Sequence, residues 1–88
     1  MPTISIFFGL IVRMYYNDHN PPHFHVLYQG MEAVFAIENG DILDGDLPNR
    51  AKRIIREWSS DHRGELLENW ERARQKLPLK GIPGADVE

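Results

Sequence analysis

A hairpin pattern in the first half of the chain constrains the fold more than any other feature. Residues 23–37 read HFHVLYQGMEAVFAI, with apolar side chains alternating on both sides of Gln29 and Gly30. A two-residue turn there, with glycine supplying a positive φ, would join two antiparallel strands. The register that follows pairs Phe24 with Phe35. This aromatic side must face the core, because it is the apolar side of the hairpin.

The same register decides where two histidines lie. Successive side chains of a strand point to opposite faces, so His23 and His25 leave the core side together. They are expected beside Ala36 and Val34, and a one-residue slip of the turn would reverse the assignment. We therefore predict that both imidazoles project away from the hydrophobic layer.

The segments around the hairpin complete a small sheet. Residues 4–16 are mostly apolar, β-branched or aromatic, and Gly9 interrupts them, which indicates a first strand that bends or bulges there. Pro21 and Pro22 cannot donate to a sheet ladder, so the next strand starts after them. The segment 42–43 is apolar but short, so a fourth strand there would add to a sheet of three.

The second half of the chain has helical periodicity. One stripe of side chains recurs every three or four residues: Ala51, Ile55, Trp58, His62, Leu66, Trp70, Ala73 and Leu77. Polar residues and a glycine within 59–64 weaken the middle of this stripe. The predicted fold class is α+β, a small antiparallel β-sheet of three to four strands covered on one face by one long or two shorter C-terminal α-helices. We expect a single domain over residues 1–77 and an irregular C-terminal tail over 78–88.

Composition excludes several classes of function. The 88 residues make one small domain, and the absence of cysteine removes disulfides, thiolate zinc sites and a cysteine nucleophile. A formal net charge of −3 gives no global attraction to RNA or to an anionic membrane, so RNA binding would have to be local. The apolar run over residues 4–12 is too short to span a bilayer and is poorly built as an export signal. We predict a cytoplasmic protein without a membrane association.

Residues 18–25, DHNPPHFH, hold three of the four histidines. His23 and His25 would present two imidazoles on one face, a spacing suited to sharing a metal ion. The third ligand could be His19, Asp18 or Glu32. One interpretation is therefore a site for a divalent metal ion such as Zn, Ni or Mn. Its candidate ligands are His19, His23, His25 and Glu32, and Asp18 is a further candidate.

The same segment has two other interpretations. His23 and His25 could act as general acid and base, with Arg13 on a phosphate or oxyanion and Asp18 orienting His19. Alternatively, the loop is only stiffened by its prolines and closed by hydrogen bonds, and the histidines are half exposed. On both of these interpretations no cofactor is expected.

A basic stretch at the start of the helical half is a weaker candidate for phosphate contact. It consists of Arg50, Lys52, Arg53 and Arg56. Because Glu57 is adjacent and the whole chain is acidic, a solvated helix face explains these charges better.

Several stretches of the chain resemble a known family. MPTISIFFGLIVRMYYNDHNPPHFHVLYQG, the LP pair before the helix and ENWERA near Trp70 are similar to the small bacterial domain-of-unknown-function family numbered forty-one sixty, over nearly the whole chain to about Leu77. The hallmark is Asp18-His19-x-Pro21-Pro22-His23-Phe24-His25. The resemblance implies no established activity. Members are often encoded beside another small protein, which implies toxin–antitoxin-like pairs. Many relatives have arginine where this chain has Ile6.

Two classes of function follow from these patterns. The preferred hypothesis is a toxin–antitoxin-like component that binds a small protein encoded nearby, its own copy in a homo-oligomer, or both, through an open sheet edge or a helix. The alternatives are a small ribonuclease-like hydrolase that uses His23 and His25 as acid and base, and a histidine-based metal-binding domain.

Overall fold

A computed structural model describes residues 2–87. Met1 and Glu88, the outer limits of the predicted domain and tail, lie outside the described residues. The elements in chain order are β1 Thr3–Phe7, β2 Leu10–Arg13, β3 His23–Tyr28, β4 Met31–Ala36, β5 Ile42–Gly45, α1 Asn49–Asp61 and α2 Arg63–Arg74. The expected α+β fold class, with the strands first and the helices last, is confirmed.

The sheet has five antiparallel strands in the order β1-β2-β3-β4-β5. This is more than the three to four that we predicted, because residues 4–16 do not form one bent strand. Phe8 and Gly9 have φ of 52° and 76°, and they turn the chain back so that Phe7 pairs with Leu10. Gly9 therefore marks a hairpin turn and not a bulge.

The β3–β4 hairpin has the register expected from the sequence. Phe24 pairs with Phe35, His25 with Val34, and every other pair of the hairpin follows. Gln29 and Gly30 have φ of 48° and 79°, and a tight two-residue turn with a positive φ at both central positions is the kind that matches strand twist. The aromatic side of this hairpin faces the core.

The core lies between one sheet face and the two helices. Phe24 and Phe35 stack with ring centroids 5.5 Å apart, and Trp58 of α1 meets Phe24 edge to face at 6.0 Å. Leu66 and Trp70 of α2 join the same buried cluster. The helices are two shorter ones, separated at His62. Neither helix, within residues 2–87, is long and apolar enough to cross a membrane.

The segment after α2 has no helix or strand up to residue 87, but it packs against the domain. The N–H of Ile82 donates to the Ile4 carbonyl at 2.8 Å, and the Ser5 hydroxyl donates to the Ile82 carbonyl at 2.8 Å. The indole N–H of Trp58 donates to the Pro83 carbonyl at 2.8 Å. The tail thus covers the outer edge of β1.

Gly45 gives a stability prediction for the β4–β5 pairing. Its φ is 73°, and a Cβ there would overlap the Glu32 carbonyl oxygen of β4. Gly30 is a matched control, because its φ is 79° but a Cβ would meet open space. We expect Gly30→Ala to lower the free energy of unfolding by about 1 kcal/mol and Gly45→Ala to lower it by at least about 2 kcal/mol more. Urea denaturation measures both, and equal losses would contradict the close approach of β5.

Candidate functional site

Two histidines of β3 lie on the sheet face opposite the Phe24–Phe35 side. Their ring centroids are 5.2 Å apart. The ring of His25 meets Tyr15, which follows β2, at 4.4 Å. The register places both histidines on the expected face, but the prediction that both imidazoles project away from the hydrophobic layer is wrong for His23, which is buried. Its ring packs against Trp70 of α2 at 5.1 Å, because α2 passes the start of β3.

Asp18 brings a carboxylate between the two imidazoles. Its Oδ2 atom lies 2.8 Å from Nε2 of His23 and 3.4 Å from Nε2 of His25. Its Oδ1 atom accepts the backbone N–H of His19 at 3.1 Å, which fixes the orientation of the carboxylate. One possible ligand atom from each of Asp18, His23 and His25 lies within 4.8 Å of the others. These three residues are called the His–Asp cluster below.

The other nitrogen of each ring is also engaged. Nδ1 of His23 lies 2.7 Å from the Pro21 carbonyl oxygen, and a carbonyl can only accept, so this nitrogen donates. Nδ1 of His25 lies 3.0 Å from Oε2 of Glu32, which is an acceptor when ionised. Both rings are thereby oriented with Nε2 towards Asp18. Glu32, one of the predicted ligands, lies on the far side of the His25 ring from Asp18.

The surroundings of Asp18 keep it ionised at neutral pH. Partial burial raises the pKa of this carboxyl, but hydrogen bonds from His23 and His25, the charge of His23 and the N–H of His19 together outweigh burial. The net result is a pKa below the ordinary value of 3.8. An ionised carboxylate therefore faces the two Nε2 atoms.

His19 and Arg13, the other two predicted site residues, lie outside the cluster but next to it. The His19 side chain is 95% exposed, and its Nδ1 is 4.0 Å from Oδ1 of Asp18, so only its backbone supports the cluster. Arg13 is directly opposite His25 across the β2–β3 pairing. Its Nε is buried and has no hydrogen-bond partner among residues 2–87. The helical spacing of Trp70 predicts a place on the apolar stripe, and that spacing carries no signal of its contact with His23.

The donor atoms of the cluster fit a divalent transition-metal ion. Two imidazole nitrogens and one carboxylate oxygen, with a further position open, are a ligand set typical of such ions. Ligands at 2.0–2.1 Å in a tetrahedron are roughly 3.3 Å from one another, close to the 2.8 and 3.4 Å separations here. In metal sites the second ring nitrogen of a ligating histidine usually donates to a carbonyl or carboxylate, as Nδ1 of His23 does to Pro21.

Fold and site together define a small α+β domain with a His–Asp cluster at the start of β3, on the sheet face opposite the Phe24–Phe35 side and in contact with Trp70 of α2. The chain belongs to the family described as Domain of unknown function (DUF4160), whose model matches residues 9–71. The match includes the whole cluster, Arg13 and Trp70, and it confirms the resemblance found in the sequence. No curated protein matches the chain significantly, nor does any solved structure.

The lowered pKa of Asp18 predicts a pH-dependent stability. Because the folded pKa lies below the ordinary 3.8, the ionised carboxylate stabilises the fold above pH 3.8, and this contribution is lost as the pH falls through the folded pKa. In urea denaturation with a chelator present, wild type should exceed Asp18→Asn in stability near neutral pH. The difference in the free energy of unfolding between wild type and Asp18→Asn should shrink as the pH falls below 3.8. A difference that does not change with pH would contradict the hydrogen bonds to Asp18.

Proposed function

We propose that this protein is a binding domain for one divalent transition-metal ion, held by Oδ2 of Asp18 and by Nε2 of His23 and His25. The observation that supports it is the convergence of both Nε2 atoms on one carboxylate oxygen while both Nδ1 atoms are held by oxygen acceptors. Nitrogen-rich donor sets favour zinc and nickel, and manganese accepts them less readily. Calcium and magnesium prefer all-oxygen sites.

The positions of the protons on the two imidazoles favour a cluster that binds a metal ion over one held by hydrogen bonds alone. Since Nδ1 of each ring donates, a neutral ring presents a lone pair at Nε2, and this lone pair would oppose the lone pairs of Asp18. Without an ion, the cluster forms both hydrogen bonds to Asp18 only when both rings are cationic, and the ring centroids are 5.2 Å apart. The side chains of His23 and His25 are only 10% and 15% exposed, so two such charges are costly. A divalent ion satisfies all three ligand atoms with both rings neutral.

The same contacts weigh against simple acid–base catalysis by the histidines. A general base needs a ring nitrogen within reach of a substrate proton. Both nitrogens of His23 face protein oxygens, and Trp70 covers the ring. The ribonuclease-like hydrolase with His23 and His25 as acid and base stays a prediction from the sequence.

Partner binding is a second candidate function, and one surface feature favours it. Ile6, Ile11 and Leu27 face one another across β1, β2 and β3 on the helix-free side, and Ile6 is 64% exposed. Ile11 and Leu27 are half-buried, so this apolar row is partly exposed, and exposed apolar patches are common at protein interfaces. A toxin–antitoxin-like role, with a small protein encoded nearby or a second copy, is the form of this function that the sequence suggests. The cytoplasmic location also stays a prediction.

Metal binding is tested on protein purified without a histidine tag. We expect isothermal titration with Zn²⁺ to give one site per chain, and Asp18→Ala and His25→Ala to weaken it by at least about 100-fold, since each loses a ligand. His19→Ala is the matched control, because its exposed ring lies outside the cluster, and it should bind normally. Glu32→Ala should lose about 10–100-fold through the orientation of His25. An equal loss in His19→Ala, or no binding by wild type, would refute the site.

Partner binding is tested by co-expression with the product of the neighbouring gene. We expect one complex in size-exclusion chromatography with light scattering, and we expect Ile6→Glu to separate it because a charge in the apolar row resists burial. Glu38→Gln, on an exposed position outside this row, is the control. Two separate species with the wild-type chain, and a monomer when it is expressed alone, would count against this function.

A further inference from the structure

Arg13 is a half-buried cation beside the His–Asp cluster, and its buried Nε has no hydrogen-bond partner among residues 2–87. Residues paired directly across antiparallel strands have Cβ atoms about 4.5–5.5 Å apart on the same face, so the Arg13 side chain starts next to that of His25. Its Nε is buried and makes no hydrogen bond within residues 2–87. Arg13 also takes part in none of the ion pairs within residues 2–87. Buried donors are nearly always satisfied, so this one calls for an acceptor.

We propose that Arg13 and the ion of the His–Asp cluster bind a phosphate group together. One phosphate oxygen would take the open coordination position of the ion, and others would accept hydrogen bonds from the guanidinium. This inference rests on the metal site proposed above. Arginine suits the role because its planar fork matches two oxygens of a phosphate and stays charged at all relevant pH values.

The local charge makes phosphate binding depend on the ion. With both rings neutral, Asp18 and Glu32 contribute two negative charges around His25 and Arg13 contributes one positive charge, so the site without an ion repels an anion. A divalent ion reverses the sign. Asp44 lies on the same cross-strand row, but three strands from Arg13, roughly 14 Å away at the usual strand spacing, where salt screens it.

The basic stretch of α1 does not compete with Arg13 for this role. This stretch lies on α1, whereas Trp70, which contacts the cluster, lies on α2. Arg56 donates from Nε to the Gly40 carbonyl at 3.2 Å, and Arg53 is exposed. Arg53 therefore serves as a control cation of the same type outside the cluster.

The test is a titration of inorganic phosphate into protein loaded with Co²⁺, whose visible absorption reports its ligands. The affinity of each variant for Co²⁺ is measured first, and its melting temperature is recorded. We expect phosphate to change the spectrum of wild type and of Arg53→Gln equally. Arg13→Gln should bind phosphate at least about tenfold more weakly, and Arg13→Lys should bind it severalfold more weakly because it keeps the charge but loses the fork. Metal-free protein should show no phosphate binding by calorimetry.

The outcomes separate the two proposals. Failure of wild type to bind Co²⁺ would remove the metal site itself. Normal Co²⁺ binding without a response to phosphate, or with wild-type phosphate affinity in Arg13→Gln, would overturn only the role of Arg13. If the Gln variant does not fold, wild-type phosphate affinity in Arg13→Lys has the same meaning. Acetate that binds as tightly as phosphate would overturn the phosphate assignment in favour of a carboxylate ligand.

Discussion

The pairing of β3 with β4 is the constraint on which both the core and the candidate site depend. The stacked rings of Phe24 and Phe35 lie between the sheet and Trp58, and their burial makes this register favourable. Because a strand has a period of two, the same register sends His25 to the opposite face beside Arg13. A slip by one residue would turn the phenyl rings away from the core and the imidazoles towards it. The hydrophobic core therefore fixes the geometry of the polar cluster.

Asp18 depends on a different set of contacts, since it lies in the loop between β2 and β3. The Tyr16 hydroxyl donates to the Leu77 carbonyl at 3.0 Å before the loop, and the Ile37 N–H donates to the Pro22 carbonyl at 3.0 Å at its end. Trp70 packs on His23 from the helical side. The loop is thus held by the sheet, by α2 and by the segment after it. Such support lets a carboxylate be positioned before a ligand arrives, which lowers the entropic cost of binding.

The parts of the structure that follow a periodic pattern could be predicted, and the parts that depend on loops could not. The register around Gln29 and Gly30 follows from alternation and turn chemistry. Gly9 was ambiguous, because a bulge and a tight turn both use its positive φ. Asp18 and His19 are neighbours in a loop without periodicity, so the sequence could not decide which one faces the two imidazoles.

The His–Asp cluster and the apolar row share one face of the sheet, and this links the two candidate functions. Ile11 and Leu27 lie two residues along their strands from Arg13 and His25, about 7 Å away at the usual rise per residue. A partner that covers the apolar row would therefore lie over or beside the open position of an ion in the cluster. By thermodynamic linkage, any effect of the partner on ligand affinity equals the effect of the ligand on partner affinity. The proximity of the two surfaces would consequently couple the anion site and the partner site that we propose.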